Sequence, residues 1–287
     1  MKRLLITGSS GFIGRNVRPV LEHEHSVVGV NISGGVDITK AGALDYLGGD
    51  FDAVLHLAGK SYVPESFERP AEYYHANING ALTVAEFCRR RGVKDLIYAN
   101  TYVYGSPQSL PIDEAHRVSP GSPYHRSKLL GEELLLGYFP SSGTKVCSLR
   151  IFNIYGPHQD PRFLIPKLIT EASATGRVNV EDLEPRRDFI HVSDFANLVL
   201  TIVGAGITDS GIYNVGSGTS VSVGEVIETI RRCLPRPFEV ICAERRRPNE
   251  IMDCRANTRK VTGTFGWHPR IGLEDGVARI VKEQLYA

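Results

Sequence analysis

Five short runs in the first half of the chain are apolar without alternating: RLLIT (3–7), SVVGV (26–30), AVLHLAG (53–59), DLIYAN (95–100) and KVCSLRIFN (145–153). A strand with one wet face alternates apolar and polar residues. A strand that is apolar throughout is covered on both faces, as in a parallel sheet. Segments of helical character, over 12–22, 71–91 and 124–137, separate these runs. The succession predicts an α/β fold with a doubly wound parallel sheet, the Rossmann arrangement.

After residue 153 the pattern becomes irregular. GPHQDPR is a loop, FLIPKLITEASATG is helical and ends at Gly176, and DFIHVSDFANLVLTIV joins a short strand to a helix. GIYNVGSG (211–218) reads as a late strand returning to the sheet. A helix (223–233), a strand (238–243) and a last helix (273–285) follow. The expectation is a smaller C-terminal substrate lobe beside the main sheet.

With 287 residues the chain is long enough for a full core. Lys and Arg number 33 against 32 Asp and Glu, so no footprint for nucleic acid or a membrane surface is visible. The five cysteines, Cys88, Cys147, Cys233, Cys242 and Cys254, are widely spaced and form no CxxC pair. That argues against a metal site or a disulfide framework and for a reducing, cytoplasmic setting. The apolar start MKRLLI breaks at Thr7-Gly8-Ser9, too early for a signal peptide. No run reaches the roughly 20 apolar residues a membrane span needs.

The loop TGSSGFIG (7–14) joins the first strand to the first helix. That is the context a dinucleotide-binding fingerprint requires. Gly8 permits the tight turn, Gly11 the approach of a pyrophosphate and Gly14 close helix-to-strand packing. Free N–H groups at the helix start, around Phe12 and Ile13, would hold the anion. The second strand of such a fold usually ends in an acid that grips the ribose. Here the position holds Asn31, which leaves NAD and NADP both open, with NAD favoured. Asp37 and Ile38, after a glycine-rich bend, are placed to meet the adenine.

SPYHRSKLLGEELL holds Tyr124 and, four residues on, Lys128, which share a helix face. A neighbouring ammonium is expected to lower the phenol's pKa and make Tyr124 an acid or base near neutrality.

With these motifs the chain resembles the extended short-chain dehydrogenases/reductases of the nucleotide-sugar epimerase/dehydratase family. The matching segments are TGSSGFIG, HLAG (56–59), NINGALTVAEFCR (77–89), YVYG (102–105), SPYHRSK (122–128), RIFNIYGPHQ (150–159), RRDFIHVSD (186–194), YNVGSG (213–218) and RPNEI (247–251). The resemblance implies that Tyr124 exchanges a proton with a sugar oxygen and that Lys128 binds the nicotinamide ribose. It implies a cofactor pocket around Leu57, Ala58, Gly59 and Asn77. It implies that Ser61 meets the substrate and that Asn153, Arg187 and Arg247 hold a nucleotide diphosphate, a task suited to forked permanent cations. It also implies a homodimer built from the helices at 71–91 and 124–137. Residues 1–152 with 189–217 would then bind dinucleotide, and 153–188 with 218–287 the nucleotide-diphosphate sugar.

The family usually carries a Ser or Thr where this chain has Asn100. Strand alternation points the adjacent Thr101 to the opposite face, so Asn100 is placed slightly ahead as the group on the reacting oxygen. The Asp-Glu pair of the 4,6-dehydratases is replaced by Thr101 and Tyr102, which argues against dehydration. Two reactions remain. The spacing of GPHQDPRFLIPKLI resembles the GDP-4-keto-6-deoxymannose reductase branch and favours a 4-ketoreductase; a 4-epimerase is the alternative. A non-catalytic dinucleotide sensor is the rival from another class. His158 reads first as a loop histidine, with an acid role as its alternative.

Overall fold

The computed structural model describes residues 1–139, 143–246 and 250–286. The five apolar runs form strands at Arg3–Thr7 (β1), Ser26–Val30 (β2), Ala53–His56 (β3), Asp95–Thr101 (β4) and Lys145–Ile151 (β5). Helix Phe12–Glu22 (α1) joins β1 to β2. Val63–Glu68 (α2), Pro70–Tyr74 (α3) and Gly80–Arg91 (α4) lie between β3 and β4, and Pro123–Tyr138 (α5) precedes β5. The second half runs through Asn153–Tyr155 (β6), Leu164–Thr175 (α6), Arg177–Val180 (β7), Arg186–Arg187 (β8), Phe189–His191 (β9), Val192–Ala205 (α7) and Gly211–Val215 (β10). It ends with Val221–Ser222 (β11), Val223–Cys233 (α8), Glu239–Cys242 (β12), Asp253–Cys254 (β13), Arg259–Phe265 (α9) and Leu273–Tyr286 (α10).

The main sheet has the order β10-β5-β4-β3-β1-β2 and is parallel throughout. Successive residues of its strands feed two different cores. Leu4, Ile6, Leu55, Ile97 and Leu149 pack with Val17 and Leu21 of α1 and Phe195 and Val199 of α7. Leu5, Val54, Leu96, Tyr98 and Val146 pack on the other side with Val84 and Phe87 of α4 and Leu135 of α5. Both faces are covered, and that is why the runs do not alternate. A third core joins α6, β7, α8 and α10 through Ile165, Leu168, Val178, Val226, Ile230 and Ile280. Short α9 and Trp267 return to the main sheet, where Val261 and Trp267 join its first core.

Three features depart from the sequence expectations. The helix expected over 71–91 consists of α3, a π-helical turn His75–Asn79 and α4. The run expected over 145–153 breaks at Phe152, whose N–H goes to Val215 while that of Asn153 goes to Asp188; β6 then pairs with β9 outside the main sheet. Elements of two to seven residues, such as β8, β13, α2 and α9, are too short to show a periodicity. No helix among the described residues is long and apolar enough to cross a membrane.

Register prepares the site. His56, the last residue of β3, stands opposite Tyr98, while β4 continues beside β5 to Thr101 opposite Ile151. The last three residues of β4 therefore lack a neighbour on the β3 side. This opening lies at the carboxyl edge of the sheet, where open α/β sheets bind ligands.

Candidate active site

A cavity of about 560 Å³ occupies that edge. One wall is the loop joining β1 to α1, with Gly8, Gly11, Phe12, Ile13 and Gly14. Gly8 has φ +74°, and its N–H bonds the carbonyl of Val30 at 2.8 Å. A Cβ there would come within 2.7 Å of the Ala58 nitrogen, and one on Gly14 within 2.4 Å of the Gly8 carbonyl oxygen. A Cβ on Gly11 would meet only that same oxygen, at 3.3 Å. Gly8 and Gly14 are thus required by the chain's own packing, and Gly11 faces space a ligand could fill. Gly11 is also the N-cap of α1, with no side-chain cap and no acidic residue in the first turn. Uncapped N–H groups at a helix start fit an anion, so the residues present fit the pyrophosphate of a dinucleotide.

Leu57, Gly59, Ser61, Asn100, Thr101, Tyr124, Lys128 and Asn153 line the same cavity. The sequence thus brings its proton-transfer candidates and its glycine loop into one place. Ser122 caps α5 by accepting the His125 N–H at 3.2 Å, which sets Tyr124 on the first turn. The Thr101 hydroxyl faces the Tyr124 phenol across the cavity wall. Lys128, only 6% exposed, lies one turn on with its ammonium 4.0 Å from the centre of the Tyr98 ring.

Two expectations are corrected here. First, the phenol is not acidified: enclosure pushes Tyr124 up to about 12, opposed by the Thr101 hydroxyl. Burial lowers Lys128 instead, to about 7, opposed by the Glu132 carboxylate. Second, Thr101 and not Asn100 reaches the phenol. The Asn100 side chain donates to Glu132 at 2.7 Å and accepts the Thr101 N–H at 2.8 Å. Alternation does separate the two residues, but the phenol lies on the Thr101 side.

The remaining predicted residues fall elsewhere. Asn31 donates to Ser9 Oγ at 3.2 Å and accepts the Gly34 N–H at 2.8 Å, so it shapes the loop after β2. Asp37 accepts both the N–H and the hydroxyl of Thr39. The Ile38 side chain is buried in the second core, and the Ala58 N–H faces Thr7 Oγ1 at 3.4 Å. Asn77, 1% exposed in the π turn, bonds Lys60 and the Ser127 hydroxyl, tying the strand-β3 loop to α5. Arg187 is absent from the cavity wall; it pairs with Glu250 and donates to the Ile251 carbonyl at 2.5 Å. Arg247 lies outside the described residues. His158, at φ +64°, points away from the cavity to Glu283, 3.1 Å distant.

Several wall residues had no signal in the sequence. His125 sits beside Tyr124, ring centres 5.1 Å apart; burial lowers it to about 4, so it is neutral. Arg162 lies over the Tyr62 ring at 4.3 Å, and Tyr62 meets Phe163 edge to face. Outside the wall, Asp188, read only as part of a motif, is wholly buried and accepts the N–H groups of Ser217, Gly218 and Ala256. It clamps the loop after β10 to the segment after β13. A wall residue needs only to arrive at the cavity, and tertiary contact rather than spacing delivers it.

Residues 4–216 match the model of the NAD dependent epimerase/dehydratase family. GDP-6-deoxy-D-mannose reductase of Pseudomonas aeruginosa is 30% identical over 98% of this chain and 97% of that protein. The solved structure of RMD from Pseudomonas aeruginosa complexed with NADPH superposes with a TM-score of 0.90 at 29% identity, covering 99% of this chain and 98% of that one. Thermus thermophilus UDP-glucose 4-epimerase complexed with NAD superposes with a TM-score of 0.89 at 27% identity, covering 99% of each chain.

Proposed function

Because the chain belongs to the NAD dependent epimerase/dehydratase family, we propose that it is an NAD(P)-dependent enzyme acting on a nucleotide-diphosphate sugar, and that its reaction is reduction of a 4-keto sugar. The observation that carries this reading is the gathering of Thr101, Tyr124 and Lys128 in one cavity with the glycine loop. A phenol at about 12 stays protonated at neutral pH. It is therefore ready to give a proton to a carbonyl oxygen, the role a reductase requires, and Thr101 holds its hydroxyl in place. Bound reduced nicotinamide supplies the hydride. Lys128, half-charged near neutrality, favours negative charge on the phenol as its proton leaves. Glycines 8, 11 and 14 would seat the pyrophosphate. Asn31 carries no charge to repel a 2′-phosphate, so NAD and NADP are both admitted.

On the substrate side, Ser61 and Asn153 would meet the sugar. Arg187 and Arg247 would hold the diphosphate, and Arg187 must then exchange Glu250 for phosphate oxygens. Residues 1–152 with 189–217 form the dinucleotide half of this reading, and 153–188 with 218–287 the nucleotide-sugar half. Leu82 on α4 and Leu130 on α5 are 42% and 36% exposed, which supports a homodimer through these helices. Five unpaired cysteines suit a reducing cytoplasm.

The second reading, a 4-epimerase, is favoured by the likeness to the Thermus enzyme. It asks Tyr124 to act first as base and then as acid. A panel of 4-keto and 4-hydroxy sugar nucleotides, followed by the absorbance of reduced dinucleotide, tests both. Stoichiometric consumption with the keto sugars is expected. Interconversion of 4-hydroxy sugars by protein purified with tightly held NAD would replace the reductase by the epimerase. No turnover alongside intact dinucleotide binding would leave the non-catalytic sensor.

A further inference from the structure

We propose that Glu132 is the positioning residue of this site: its buried carboxylate holds Asn100, and through Asn100 the backbone of Thr101, while presenting negative charge to the Lys128 ammonium. The proposal deepens the reductase reading and rests on it. Glu132 is 1% exposed and Arg150 2%. Arg150 binds the carboxylate twice, Nη2 to Oε1 at 2.5 Å and Nε to Oε2 at 3.1 Å. Oε2 also accepts from Ser148 at 2.6 Å and from Asn100 at 2.7 Å. The Asn100 side-chain Oδ1 accepts the Thr101 N–H at 2.8 Å, and the Thr101 hydroxyl faces Tyr124. One chain of contacts runs from the ion pair to the phenol.

Two physical points give this chain a purpose. Burying an ion pair costs desolvation that well-packed apolar residues would avoid, so stability alone does not account for it. Beyond Tyr98 the end of β4 has no partner on the β3 side. Thr101 is therefore held by β5 and by Asn100, and a positional error of about 1 Å is enough to cost a large factor in rate.

The same carboxylate lies one turn beyond Lys128. The groups facing that ammonium are Tyr98 from β4, His56 from β3 and Glu132 from its own helix, with Arg150 from β5 behind Glu132. Burial keeps His56 neutral. Glu132 therefore favours the charged lysine, and Arg150 without Glu132 would oppose it.

The test compares Glu132→Gln, Glu132→Asp and Asn100→Ala with the wild type. Dinucleotide affinity, read by the fluorescence of the reduced cofactor, is followed from about pH 5 to about pH 9 beside kcat and KM. Glu132→Gln is expected to move the pH at which affinity and kcat fall by about one unit toward acid, and Glu132→Asp to restore it. Asn100→Ala should leave that midpoint and KM unchanged and lower kcat about tenfold to a hundredfold. A Glu132→Gln midpoint equal to wild type, a wild-type affinity flat with pH, or full kcat in Asn100→Ala would overturn the proposal. If Glu132→Gln does not fold, the other two variants decide. If the wild type reduces no sugar nucleotide, the reductase reading fails, while the affinity profile still decides the role of Glu132.

Discussion

At the scale of single residues, three side chains divide the chemistry. In the proposed reduction Tyr124 would hold the proton, Thr101 orient the phenol, and Lys128 respond to the charge that develops. Tyr124→Phe should keep dinucleotide affinity and lower kcat by about two to four orders of magnitude, the usual weight of a positioned proton donor. Steady-state rates beside a binding titration check this, and near-normal kcat would remove Tyr124 from the chemistry. Thr101→Val should lower kcat by roughly tenfold to a hundredfold with Thr101→Ser close to wild type, because the hydroxyl and not the methyl meets the phenol. The sequence assigned this position to Asn100 by family pattern. Asn100 is an amide with both arms engaged, and that engagement is visible only once Glu132 arrives from α5.

At the scale of elements, α1 and β1 meet so closely that their loop tolerates no added carbon at two places. A methyl on Gly14 would overlap backbone atoms of Gly8 and Ser9. Gly14→Ala should therefore displace the first turn of α1 and weaken dinucleotide binding by at least about tenfold, since overpacking forces backbone shifts. Loss of the thermal shift that a dinucleotide gives the wild type would show it. Helix α5 carries a different burden. Its first turn holds Tyr124, its second Lys128 and its third Glu132, at a spacing that stacks all three on one face. The loop Gly156–Gln159 is tied to α1 by Asn16, which donates to the Pro157 carbonyl at 2.9 Å.

At the scale of the whole molecule, buried histidines tie stability to pH. Burial lowers His56 from 6.5 to about 3 and His191 to about 4. The unfolded chain takes up these protons as pH falls through 6.5, and the folded chain does not until far lower. Stability from each is therefore complete above pH 6.5 and is lost below it, at about 1.4 kcal/mol per pH unit per histidine. Denaturant titrations on either side of that value should show the loss, and His56→Asn should reduce its slope. The second prediction at this scale concerns assembly. Leu130→Glu, with Leu82→Glu, should convert a dimer to a monomer in light scattering while leaving the far-ultraviolet spectrum unchanged; an unaltered mass would place the interface elsewhere.

Much of the main sheet was legible because burial on both faces leaves a mark on every strand: β1, β2 and α1 begin and end at the expected residues. The glycine loop and the Tyr124–Lys128 pair were legible because short-range geometry alone dictates them. The fragmentation of 71–91 was not, since a π turn changes hydrogen-bond spacing without changing composition. Nor were the pairings of Arg187 with Glu250 and of Glu132 with Arg150, whose partners stand 63 and 18 residues apart. The sequence by itself determined the layered sheet, the tight glycine loop and the presence of a phenol and an amine on one helix face, because each follows from local sterics or from periodic burial. Only the tertiary structure decided which hydroxyl meets the phenol and in which direction its proton affinity moves. Both depend on what long-range packing brings against the ring, and on how completely it shuts out water.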